Sequence, residues 1–85
     1  MNETIEKTVV NYVLELWFVD SDSDQYYKTS TRFLAYMKAL KDAEIITGGD
    51  WFDCDFLEII KNDMKSKDIP GAVQHILDHL RRISK

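Results

Sequence analysis

Two histidines, His75 and His79, lie one helical turn apart, a spacing that can bring two imidazoles to one metal ion. The stretch reads His-Ile-Leu-Asp-His. It lacks the glutamate at the second position of HExxH, and it carries Asp78 where the inverted HxxEH form has Glu. Zinc takes three protein ligands and a water, or four protein ligands, so the pair needs help from elsewhere. Cys54 or Asp63 could supply it only if the fold brings them there. Both histidines also flank an apolar stripe, Val73, Ile76, Leu77 and Leu80, where boundary histidines are ordinary. The sequence therefore assigns no metal ligand, and an unrecognised metal-binding domain centred on His75, His79 and Cys54 stands as an alternative reading.

Asp20, Asp22 and Asp24 match the first three acidic positions of a calcium-binding loop, but the remaining positions fail. Gln25 stands where the loop needs glycine, Thr31 where it needs a bidentate glutamate, and Lys28 where a further ligand belongs. A solvated acidic turn is the simpler reading. Cys54 sits between Asp53 and Asp55, whose charges disfavour the thiolate a nucleophile requires. With three glycines in the chain there is no phosphate-cradling loop, and Gly48-Gly49-Asp50 would set a carboxylate beside any phosphate. Nothing supports a Ser-His-Asp arrangement. No catalytic residue and no cofactor are expected, and the chain does not read as an enzyme.

What stands out is acid interleaved with large aromatic rings. Trp17 and Phe18 lead into Asp20, Asp22 and Asp24, with Tyr26 and Tyr27 following; Asp50, Trp51, Phe52, Asp53, Cys54, Asp55 and Phe56 repeat the theme. A small core uses only part of this aromatic content, so some rings are expected at the surface beside carboxylates. Exposed Trp and Tyr are favoured interface anchors, and an acidic rim selects a basic partner and speeds its approach. The expected contact set is Trp17, Asp20, Asp22, Asp24, Asp50, Trp51, Asp53 and Asp55. It fits a protein-binding domain, such as an inhibitor, immunity protein or phage-type modulator, that occludes a basic site on a partner protein.

Composition supports this direction. Eighty-five residues make one compact domain over 1–85, and 45% hydrophobic content supplies a core and argues against disorder. The net charge of −4 argues against nucleic acid as partner, since phosphate contacts demand clustered Lys and Arg. Charge is blocked along the chain: residues 1–27 hold six acids and one base, 28–41 four bases, 42–58 six acids, and 59–85 six bases and three acids. The alternative partner is therefore nucleic acid or a small anion, bound through Lys28, Arg32, Lys38 and Lys41 with Arg81 and Arg82. A lone cysteine excludes an internal disulfide and suits a reducing cytoplasm. The opening Met-Asn-Glu-Thr-Ile-Glu-Lys reads unlike a secretory leader, and the most apolar stretch, Thr8 to Val19, is too short and too polar to span a bilayer. No membrane partner is expected.

The elements that must position these residues read as follows. Val9 to Val19 is rich in Val, Tyr, Trp and Phe, with Val10, Tyr12, Leu14, Leu16 and Phe18 alternating, and is read as a strand. Ile5, Val9, Tyr12, Val13 and Leu16 also fall at helical spacing, the competing reading. Asp20 to Asp24 is a turn and Gln25 to Ser30 the return strand. A helix follows from Ser30 or Thr31 to about Asp42, with Phe33, Tyr36, Met37 and Leu40 as its stripe. Ala43 to Thr47 extends it or forms a short third strand before Gly48-Gly49. A helix starting near Asp50 or Asp55 buries Phe52, Phe56, Ile59, Ile60 and Met64. The last helix is capped by Asp68, with Pro70 in its first turn. The expected class is α+β, a β-hairpin packed on three helices, with an all-α bundle of four or five helices as the alternative. The free edge of such a hairpin would also allow a homodimer.

Overall fold

A computed structural model describes residues 2–47 and 52–84; the side chains of residues 52–57 fall outside that description. The chain forms four helices, α1 (Glu3–Phe18), α2 (Asp24–Asp42), α3 (Phe52–Ser66) and α4 (Ile69–Ile83). Among the described residues the only β pairing is an isolated antiparallel bridge between Ile46 and Ser84. The α+β expectation is overturned: the described residues form no β-hairpin, and their architecture is all-α with four helices.

The reason lies in which period the core uses. Val9, Val13 and Leu16 are buried on α1, with Ile5 and Tyr12 packed against the core, so the helical stripe is the one that folds inward. The alternating set is split: Val10 and Leu14 are half-buried and Phe18 is exposed. Asn2 starts α1 by accepting from the Thr4 and Ile5 amides at 2.7 and 3.4 Å, and Glu3 and Glu6 suit the positive end of the helix dipole. β-branched and aromatic content is a weaker determinant than a face that can be buried.

The acidic turn survives, now joining two helices. Asp20 Oδ1 accepts from the Asp22 amide at 3.0 Å, and Ser23 Oγ donates to the Asp20 carbonyl at 2.6 Å. The same Ser23 hydroxyl accepts from the Tyr26 amide at 3.1 Å and caps α2. Gln25 to Ser30, expected to be a return strand, is the first part of α2, which starts a turn and a half before Ser30. Tyr26, Thr29, Ser30, Phe33, Met37 and Leu40 are its buried residues.

Helix α2 ends well before Gly48-Gly49. The Ile45 amide donates to the Leu40 carbonyl at 2.9 Å and the Glu44 amide to the Lys41 carbonyl at 3.0 Å, the two bonds of a Schellman ending. Glu44 takes the left-handed position with φ 61°, a place usually given to glycine. Ala43 to Thr47 is thus neither helix nor strand. Thr47 donates from its amide and hydroxyl to the Ile83 carbonyl, at 2.7 and 3.1 Å, tying the α2–α3 connection to the end of α4.

Helix α3, expected to start near Asp50 or Asp55, runs from Phe52, which puts Asp55 inside its first turn. Its companion expectation, the burial of Phe52 and Phe56, lies outside the described residues. Helix α4 begins as expected: Asp68 accepts from the Gly71 amide at 2.9 Å, with Pro70 in the first turn. A Cβ at Gly71 would stand 2.7 Å from the capping Asp68 Oδ1, so a side chain there would make the cap shift. Of the expected stripe, Ile76 and Leu80 are buried with Ala72, while Val73 and Leu77 are half-buried.

Each helix packs on its sequence neighbours, and α1 closes the ring against α4. Tyr12 meets Phe33 and Tyr36 at ring centroid distances of 5.7 and 5.8 Å, Asp63 meets His75, and Glu6 meets Arg81, so consecutive helices run antiparallel. The core at their centre is Val9, Val13, Leu16, Tyr26, Phe33, Met37, Leu40, Ile46, Ile60, Ile76 and Leu80. No helix among the described residues is long and apolar enough to cross a membrane.

Candidate binding surface at the α1–α2 tip

The end of α1, the acidic turn and the start of α2 form one corner of the bundle, and it holds the strongly exposed aromatics among the described residues. Phe18 is 73% exposed and Tyr27 is 74% exposed, against a fully buried Phe33 in the same helical pair. The geometry follows from helix rotation. Successive residues are turned by about 100°, so Trp17 lies on the flank of α1, half-buried, while Phe18 faces water. Likewise Tyr26 points into the core and Tyr27 away from it.

Two adjoining clefts carry these rings. One, of about 570 Å³, is lined by Asn11, Leu14, Glu15, Phe18, Val19, Gln25 and Arg32. The other, of about 490 Å³, is lined by Gln25, Tyr27, Lys28, Thr31 and Arg32. The first four are the outward stripe of α1, spaced i, i+3, i+4, i+7. Gln25 and Arg32 belong to both clefts and form the ridge between them. Gln25 Nε2 and Arg32 donate to the buried Thr29 hydroxyl at 3.2 and 3.4 Å, and Arg32 reaches Glu15 across the helix pair at 3.8 Å. The ridge is therefore braced from below.

Asp20, Asp22 and Asp24 are all exposed at this tip. Asp20 has a structural task in the turn, and Asp24 sits in the first turn of α2 where its charge favours the helix dipole. Of the eight residues expected in the contact set, the fold brings four together: Trp17, Asp20, Asp22 and Asp24. Asp50 and Trp51 lie outside the described residues, as do the side chains of Asp53 and Asp55. Trp17 is half-buried, and the strongly exposed rings at this corner are Phe18 and Tyr27. An i, i+4 reading of Leu14 and Phe18 against the buried stripe would have found the former.

The basic segments are partly committed. Arg32 is engaged as above, and Arg81 donates twice to Glu6, at 2.9 and 3.0 Å, clasping α4 to α1. Those hydrogen bonds hold the Glu6 carboxyl below its ordinary range, although burial opposes the shift. Tyr26 behaves oppositely: burial raises its phenol above the usual range, and the neighbouring Ser30 hydroxyl offsets part of that.

A second polar cluster joins α3 to α4 and brings Asp63, named in the sequence as a possible companion of the two histidines, to His75. Asp63 is 2% exposed; its Oδ2 lies 2.8 Å from His75 Nδ1 and its Oδ1 lies 3.4 Å from Lys67 Nζ. Among the described residues no three His, Cys, Asp or Glu side chains converge as a metal site. No protein-family model, curated protein or solved structure matches this chain.

Proposed function

We propose that this chain is a small protein-binding domain that covers a basic site on a partner protein, in the manner of an inhibitor, immunity protein or phage-type modulator. The observation that supports it best is the pair of large rings, Phe18 and Tyr27, each nearly three-quarters exposed at the acidic α1–α2 tip. Isolated exposed apolar residues are common, but two aromatic rings over adjoining clefts with a charged rim have the anatomy of an interface. Phe18 alone offers roughly 150 Å² of ring surface to a partner, a gross contribution of roughly 3–4 kcal/mol on burial. That is enough for an anchor.

The rim sets the partner's charge. Glu15 lines the Phe18 cleft, and Asp20, Asp22 and Asp24 are exposed on the turn that follows α1, so the partner's basic groups belong over the turn. Lys28 and Arg32 edge the Tyr27 side and make the surface directional, which favours one docking orientation over its reverse. The lone cysteine fits a reducing, cytoplasmic setting.

The test is site-specific photocrosslinking in the native cells, with a benzophenone side chain placed at Phe18, at Tyr27 or, as control, at exposed Ser66. The reading requires one protein adduct from the first two positions and none from the third. Reconstituted with that protein, the complex should weaken with salt and be lost on a combined Phe18→Ser, Tyr27→Ser substitution that leaves helicity intact. No adduct at the tip, or equal adducts from all three positions, would end the proposal.

A further inference from the structure

Independently of that reading, we propose that the cleft between the α1–α2 turn and α3 binds a small phosphate monoester bearing an amine. In this arrangement Lys61, Lys65 and Tyr26 hold the phosphate and Asp22 takes the amine. The cleft has a volume of about 430 Å³ and is lined by Ser21, Asp22, Tyr26, Lys61, Met64 and Lys65. Lys61 and Lys65 stand four residues apart on α3, where side chains at i and i+4 are neighbours and like charges repel. Among the described residues neither lysine has an ion-pair partner to relieve that repulsion. A phosphate between the two ammonium groups does relieve it, and lysine binds phosphate as a point charge.

Surface lysines are common, and Tyr26 is the observation that sets this cleft apart. Tyr26 is only 7% exposed, yet its hydroxyl has no hydrogen-bond partner, and neither has the buried Ser30 hydroxyl one turn along α2. A buried donor left unsatisfied carries a desolvation penalty, and native structures keep few of them. Burial raises the phenol above its usual range, so at neutral pH it keeps its proton and is a donor. An anion in the cleft supplies the acceptor it lacks. The exposed Ser21 hydroxyl is a further donor on the turn, and Met64 gives an apolar wall for the ligand's carbon chain. Asp22 decides what the rest of the ligand must be. A carboxylate beside a bare phosphate repels it, whereas an ammonium group a few bonds from the phosphorus makes the same carboxylate a partner. Two cations, one anion and a neutral donor are complementary to a phosphate dianion joined to a single cation.

The experiment is a titration of the whole protein with O-phosphoethanolamine and, separately, with inorganic phosphate, followed by amide and lysine side-chain resonances and by thermal melting. With O-phosphoethanolamine the amides of Ser21 and Asp22 and the side chains of Lys61 and Lys65 should shift together in a single-site isotherm. Melting should rise with ligand concentration, as for a ligand that binds only the folded state. Inorganic phosphate should bind at least about tenfold more weakly, and Asp22→Asn should erase that preference. A Lys61→Gln, Lys65→Gln variant, changed only at exposed positions, should not bind. Tyr26→Phe keeps the ring in the core and should weaken binding about tenfold, the loss of one hydrogen bond to a charged group. If Tyr26→Phe does not fold, the lysine variant and the ligand preference still decide. No saturable shift by about 10 mM ligand, equal affinity for inorganic phosphate, or undiminished binding in the lysine variant or in a folded Tyr26→Phe would each overturn the proposal.

Discussion

Asp63 makes an asymmetric prediction about stability. Its carboxylate is almost completely withdrawn from water, whereas its two partners are not: the side chains of His75 and Lys67 are 39% and 42% exposed. Removing both partners strands a buried charge, which costs about 3–5 kcal/mol. Replacing the acid itself has a different outcome. In Asp63→Leu the desolvation penalty of the carboxylate disappears, an apolar side chain of similar length joins Ile60 and Met64 on the inner face of α3, and both former partners can turn to solvent. Such replacements of buried ionic groups are neutral or stabilising as often as not. Asp63→Leu should therefore lie within about 1 kcal/mol of wild type, while a combined His75→Ala, Lys67→Ala variant loses about 3–5 kcal/mol. A domain of this size has only about 5–15 kcal/mol to lose. Urea unfolding followed by circular dichroism, at neutral pH and with equal m-values, measures both. If Asp63→Leu is the more destabilised of the two, the carboxylate is a net stabiliser and the reasoning fails.

The two phenylalanines of the α1–α2 pair should separate just as clearly. Phe33→Ala empties a fully buried position and should cost about 3–5 kcal/mol, whereas Phe18→Ala should stay within about 0.5 kcal/mol; similar losses in denaturant melts would refute the exposure of Phe18. The Glu6–Arg81 clasp predicts the acid limb of stability. The folded Glu6 carboxyl lies below its ordinary value, so its contribution is complete above the ordinary carboxylate range and is lost as pH falls through the depressed folded value. Arg81→Met should flatten that limb in melts run down an acid series, and curves parallel to wild type would exclude the clasp as its source.

How much of this was legible depended on whether the signal was local. Helix α4 carried its own start in Asp68 and Pro70 and its own buried face, and both were readable. Within α2, the stripe Phe33, Tyr36, Met37 and Leu40 was readable but the start was not, because Tyr26, Tyr27 and Thr29 have extended preferences. The capping hydroxyl of Ser23, immediately before Asp24, was the stronger sign. Helix α1 was ambiguous by construction: its apolar residues satisfy both periods, and only partners from α2 and α4 settle which face is covered. Asn2 followed by acids was the local hint of a helix. The Asp63–His75 contact spans two helices and has no local pattern. Even so, Asp63 stands three residues after Ile60 and seven after Phe56, an inward register for an acid, and such a register calls for a partner.

At the tip of the α1–α2 pair, which rings are exposed was only partly legible in the sequence. Acid and aromatic content located the region, but the choice of rings depends on a rotation that a strand reading gets wrong. Alternation pairs Phe18 with Leu16 on one face, whereas a helix turns Leu16 inward and Phe18 outward. The carboxylates sort by what the fold asks of them. Asp20 and Ser23 together reverse the chain and cap α2, and Asp24 favours the helix dipole. Asp22 contributes its amide to the turn, so any small polar side chain would serve at that position. Asp22 also lines a cleft with Tyr26, Lys61, Met64 and Lys65, so cations of α3 offset the like-charge repulsion with Asp20 and Asp24. In the proposed complex, a basic partner seated on the tip would cover both rings beside this acidic turn.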